Sequence, residues 1–158
     1  MRIYVDSSAY VKLYGKSAFE KGVGQVEKIV SESKSGKHVL SSSYWLIPEA
    51  LASIDSWERR RYITRDEKKK SVAQLLENVE EGLNNGFLAF LGLKPETYAT
   101  PGFLYLVSEE HMTPGDALHI YTATLLKPEV FVTADLGQLR VAKSHGLDVF
   151  NPEKEVWK

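Results

Sequence analysis

At 158 residues, with 43% hydrophobic and 26% charged side chains, the chain has the size and composition of one globular domain with a core of its own. A net charge of −1 excludes a strongly basic coat for nucleic acid, and the absence of cysteine excludes disulfides, thiolate zinc sites and cysteine nucleophiles. No apolar run approaches a membrane span and no signal-peptide pattern precedes Arg2-Ile-Tyr-Val5, so a cytoplasmic protein without membrane contact is expected.

The β-favouring run Arg2-Ile-Tyr-Val-Asp6 ends on a carboxylate. The oxygens of Asp6-Ser-Ser8 can cap a short helix that Gly15 stops. From Phe19 to Lys34, Val23, Val26, Ile29 and Val30 recur at helical spacing, and Ser35-Gly36 breaks the pattern. Lys37 to Ser41 reads as a second strand. Ser41-Ser-Ser43 then offers caps for a helix running to about Arg61, with Leu46, Glu49, Ala50, Ser53 and Trp57 on one stripe. Pro48 is a kink or an early-turn proline of that helix.

Thr64-Arg-Asp-Glu67 predicts a capping box, and Val72, Leu75, Leu76, Val79 and Leu83 carry the helix it opens as far as Asn84-Asn-Gly86. Phe87 to Leu91 is a third β run. Phe103 to Glu110 is helical, begun near Pro101. Thr113-Pro114 reads as an N-cap and first-turn proline, which puts Asp116 in the first turn of the next helix. Pro128 stops it, and Val130-Phe-Val-Thr-Ala-Asp135 is a buried-type strand that again ends on a carboxylate. Leu136, Leu139, Val141 and Ala142 shape a helix to His145-Gly146. Leu147 to Phe150 is a last strand, and Asn151-Pro152 begins a tail. No repeat or linker divides residues 1–158, which read as a single domain.

This alternation predicts an α/β fold, a three-layer α/β/α arrangement around a central parallel β-sheet. Sites in such sheets form at the carboxyl ends of the strands, where Asp6 and Asp135 fall. Together with Glu49 and Asp116 they make four carboxylates expected to converge. Clustered carboxylates repel unless a cation neutralises them, and oxygen-only ligands suit Mg²⁺ or Mn²⁺. Hydrolysis of a phosphodiester by metal-activated water is the natural reaction of such a centre. Taken singly, Asp6 or Asp116 is more often a helix cap or first-turn acid than a ligand. Glu49 differs, because a carboxylate on an apolar stripe needs a partner.

The set Val5-Asp-Ser-Ser8, Glu49, Gly115-Asp-Ala-Leu-His-Ile120 with Ala123, and Thr133-Ala-Asp135 closely resembles the PIN-domain family. Within it, the chain is similar to the VapC-type toxins of prokaryotic toxin–antitoxin pairs, over nearly its whole length. The resemblance implies a Mg²⁺- or Mn²⁺-dependent ribonuclease acting on RNA. Asp6, Glu49, Asp116 and Asp135 would hold the metal, with Ser7 and Thr133 as supporting or water-orienting groups. It also implies a cognate antitoxin and a homodimer. Three departures stand out, the first being that helix four is long and charged. Pro48 directly precedes Glu49, and Gly137-Gln138 follow the last acid where a further charged residue would be expected.

Two rival readings remain. One is a PIN-like binding module whose acidic pocket takes a basic side chain of a partner. The other is a haloacid-dehalogenase-type phosphatase, which needs Asp-x-Asp where this chain has Ser8. The basic run from Arg59 to Lys70 can grip RNA, but reads first as a solvated face offset by Glu58, Asp66 and Glu67. His38, His111, His119 and His145 share no metal-ligand spacing, and His119 reads as a helix residue with a satisfied hydrogen bond. Tyr44, Trp45 and Trp57 are expected to pack in the core or a dimer face rather than to stack on bases.

Overall fold

The computed structural model describes residues 1–15 and 19–158. Five strands, β1 (Arg2–Val5), β2 (Val39–Ser43), β3 (Leu88–Leu91), β4 (Val130–Val132) and β5 (Val149–Phe150), form one sheet in the order β3-β2-β1-β4-β5. Every pairing is parallel, as the alternation of strands and helices predicts. The two-residue periodicity of a strand then divides the core. Ile3 and Val5 point into one apolar layer, whereas Tyr4, between them, points into the other. Val132 and Phe131 divide in the same way.

The first layer carries α1 (Ser7–Tyr10), α2 (Val23–Lys34), α3 (Leu46–Arg59) and α4 (Arg65–Asn84), packed through Tyr10, Ile29, Leu46, Ile54 and Leu75. The second carries α5 (Pro101–Ser108), α6 (Pro114–Leu126) and α7 (Leu136–Ser144), packed through Phe103, Leu106, Ile120 and Val141. The three-layer α/β/α architecture read from the sequence is therefore the observed one.

Local signals hold where they rest on caps. Thr64 and Glu67 form the reciprocal capping box of α4, and Thr113 with Pro114 opens α6. Pro48 sits in the first turn of α3, where no intrahelical donor is lost. Ser41 to Ser43 differ from expectation. They extend β2 rather than cap the helix, because Ser41 and Ser42 donate their hydroxyls to the carbonyls of Ile3 and Val5 in β1. Leu76 and Leu83 of the α4 stripe are exposed, and so is Leu136 of α7. Basic side chains of the 59–70 run are partly neutralised: Lys68 pairs with Asp55 and Glu58, Arg59 with Asp55, and Lys69 with Asp66.

The residues after Asn151 do not trail off. Trp157 is buried against Phe150 and His38, at ring separations of 5.0 and 5.8 Å. Its indole N–H donates to Glu32 Oε2 at 2.9 Å, and its backbone N–H donates to Gln25 Oε1 at 2.8 Å. The tail thus clasps α2 to the edge of the sheet. Trp157→Ala removes a large buried ring and should lower stability by about 3–5 kcal/mol in urea unfolding. A loss below about 1 kcal/mol would mean that the clasp contributes little.

Candidate active site

Asp6 leaves the end of β1 and stays alongside β4, its backbone N–H donating to the Val132 carbonyl at 3.1 Å. Its side chain is fully buried and caps α1, with Oδ1 accepting from the Ala9 N–H at 3.0 Å. Ser8 Oγ donates to the same carboxylate at 2.9–3.0 Å, and Thr133 Oγ1 donates to Oδ2 at 3.0 Å. Burial raises the Asp6 pKa to about 6, against the opposing pull of the His119 ring and of these hydrogen bonds.

Thr133 and Ser8 also bind the turn after β4. Thr133 Oγ1 accepts from the Asp135 N–H at 3.0 Å, and Ser8 Oγ accepts from the Ala134 N–H at 3.0 Å. Asp135 caps α7 by accepting from the Gln138 N–H at 2.7 Å. The Gln138 side chain then donates to Asp116 Oδ1 at 2.7 Å, while Thr113 Oγ1 donates to Asp116 Oδ2 at 2.6 Å. Asp116, Asp135 and Gln138 line one small cavity of about 130 Å³.

Glu49, in the first turn of α3, approaches from the other side. It accepts from Ser7 Oγ and, at 3.0 Å, from His119 Nε2. Since a carboxylate only accepts, Nε2 carries the hydrogen, and His119 Nδ1 faces the Tyr4 hydroxyl at 2.9 Å. Burial pushes the Glu49 pKa up, but hydrogen bonds from His119, Ser7 and Trp45 together outweigh it and hold the carboxyl below its ordinary value. Burial keeps the Tyr4 hydroxyl protonated. The partner that a carboxylate on the α3 stripe demanded is therefore chiefly His119. Gly115 is required here: a Cβ would overlap Glu49 Oε1 and come within 2.6 Å of the Trp45 indole nitrogen.

The four carboxylates thus share the carboxyl edge of the sheet; Asp6, Asp135 and Asp116 belong to one hydrogen-bonded net, and Glu49 is tied to it through the backbone by way of Ser7. Among the described residues, however, no three Asp, Glu, His or Cys side chains stand close enough to hold an ion between them. Asp6 joins Asp135 through Thr133, Asp135 joins Asp116 through Gln138, and Glu49 joins the chain next to Asp6 through Ser7. The donor set still has the chemistry of a hard-cation site. It offers only oxygens from these carboxylates. Gln138 Oε1 is a buried acceptor with no protein donor, next to two acids. A cation or its bound water would satisfy both features.

Four residues of this net were missed or undervalued at the level of sequence. Ser8, Gln138, His119 and Trp45 lie two, three, three and four positions from an acid already singled out, within a helical turn or the turn before it. That proximity was the available signal. Tyr44 and Trp45 are exposed rather than packed in the core, whereas Trp57 is buried. Among the described residues, no helix is long and apolar enough to cross a membrane.

No family model matches the chain, and no curated protein matches it. Among solved structures, the chain is similar to a PilT N-terminus domain protein from the hyperthermophilic archaeon Sulfolobus solfataricus P2, at 16% identity and a TM-score of 0.43, over 98% of this chain and 89% of that one.

Proposed function

We propose that this protein is a metal-dependent endoribonuclease of the PIN-domain type, and the toxin of a VapC-like toxin–antitoxin pair. The observation that carries the reading is the arrangement just described, in which Asp6, Glu49, Asp116 and Asp135 come from separate elements to one edge of a parallel sheet. These four side chains would hold Mg²⁺ or Mn²⁺, with Ser7 and Thr133 fixing the carboxylates they touch. When bound, such an ion supplies an activated water and charge stabilisation at the phosphate. The substrate is RNA. A cognate antitoxin would block the edge with a basic side chain, and the working form would be a cytoplasmic homodimer.

The test is cleavage of structured and total cellular RNA by purified wild type and Asp116→Asn, with Mg²⁺, with Mn²⁺ and with chelator. Metal-dependent cleavage should fall in the variant by more than the roughly 10–100-fold that losing a supporting residue costs. Undiminished cleavage by Asp116→Asn would refute the assignment. A second reading, a binding module, is favoured by one observation: each carboxylate already has protein donors, and no three converge. Calorimetry with Mn²⁺ separates the two. A module of this kind binds none.

A further inference from the structure

The carboxyl edge of the sheet does not end at Glu49. Beyond it, where β2 and β3 finish, a cleft of about 170 Å³ is lined by Tyr44, Trp45 and Tyr98 together with Ser43, Leu93 and Leu118. The three aromatic residues are 60%, 46% and 47% exposed. An exposed aromatic cluster of this kind marks a contact site more often than chance placement does. Its walls are also fixed. The Tyr44 ring leans on Phe90 at 5.3 Å between centroids, and the Tyr98 ring meets the edge of Phe103 at 5.5 Å. Trp45 borders the acidic site itself, because its indole nitrogen and Glu49 Oε1 both lie against Gly115, the residue before Asp116.

Resting on the nuclease reading above, we infer that this cleft is a stacking subsite for an unpaired nucleobase of the RNA, one step along the strand from the carboxylates. No charged side chain lines it, which suits the face of a base and not a phosphate. Its size admits a planar ring but not a helix, whose diameter with side chains is about 10–12 Å. A second copy of the chain seated here would cover the carboxylate edge, since Trp45 belongs to both. Selection of single-stranded loops over duplex then follows, because a paired base keeps its faces stacked within the helix and cannot enter.

The experiment uses the full chain, with wild type, Tyr98→Ala, Tyr44→Ala and the conservative Tyr98→Phe. Each is assayed for cleavage of a hairpin RNA with an unpaired loop and for binding of a short single-stranded oligoribonucleotide in chelator. Trp45 fluorescence reads the binding, since Trp57 and Trp157 are buried. Loss of one stacking wall should raise KM and the dissociation constant about 5- to 100-fold, with kcat within about twofold. Tyr98→Phe should behave as wild type. The defect should persist at raised salt, unlike a lost phosphate contact. An oligonucleotide with abasic positions should bind wild type as weakly as the intact one binds the variants.

If wild type cleaves and the alanine variants match it, the subsite is refuted while the nuclease reading stands. If wild type neither cleaves nor binds RNA, both fall. If the variants turn a dimer into a monomer by light scattering, the cleft is a self-association face and the proposal is overturned. Thermal unfolding of each variant excludes loss of fold as the cause.

Discussion

Asp6→Asn should make the metal-free protein more stable at neutral pH while removing the metal-dependent cleavage proposed above. In the folded chain the Asp6 pKa is about 6, because burial penalises the charged form, against a value of 3.8 for a free side chain. The folded state therefore holds a proton that the unfolded state has already released between those two values. By linkage, stability falls as pH rises through this window, and the full cost is present above it. A shift of that size corresponds to about 3 kcal/mol. Asparagine keeps the size and carries no charge, and the Ser8 and Thr133 hydroxyls that meet Oδ2 can turn to accept from its amide. The variant should gain about 1–3 kcal/mol in chelator at about pH 7.5 and nothing near pH 4, where wild type is protonated as well. Urea unfolding at the two pH values measures this. Activity should drop more than about 100-fold, beyond the loss of a supporting residue. A variant less stable than wild type at neutral pH would mean that Asp6 serves the fold as a charged cap.

His119→Ala should cost about 3–5 kcal/mol, more than a helix surface position allows. The ring is fully buried, and its two nitrogens bridge Tyr4 and Glu49. Truncation leaves a cavity between β1, α3 and α6. It also strips the Tyr4 hydroxyl and a half-buried carboxylate of their partner, and an unpaired buried polar group costs more than a made bond gains. Without the imidazole, burial is left to dominate at Glu49, whose pKa should rise. Wild-type Glu49 lies below its ordinary value, so it stabilises the fold above the carboxylate range and loses that contribution as pH falls. The penalty of the variant should therefore shrink in acid. Unfolding free energies measured from about pH 3 to 8 would show this; a constant penalty would assign the whole effect to packing.

The fold was legible because it rests on local chemistry. The strand run before Asp6, the Thr64 capping box and the Thr113-Pro114 start each depend on a few adjacent residues, whereas the run read as far as Asp135 stops at Val132, because Asp135 turns to cap α7. The site was legible only in part. That Glu49 needed a partner followed from its place on an apolar stripe, but that the partner is His119 depends on how α3 crosses α6, which no spacing encodes. Ser41 to Ser43 looked like caps because hydroxyls are frequent there, yet the same hydroxyls serve a neighbouring strand when one runs alongside. The burial of Trp157 was invisible for the same reason, since its partners lie 125 and 132 positions earlier.

The strand order has a temporal consequence. β1 is the centre of the sheet, but one of its two neighbours, β4, is made of residues 130–132, near the far end of the chain. During synthesis the first acid must wait for Thr133, Asp135 and Gln138 to leave the ribosome before the second of its hydroxyl donors and the adjoining cap exist. The site is therefore incomplete in the nascent chain until those residues emerge. Such distant pairing also belongs to the slower class of folding reactions. On the nuclease reading proposed above, that delay separates the moment of synthesis from the moment of activity.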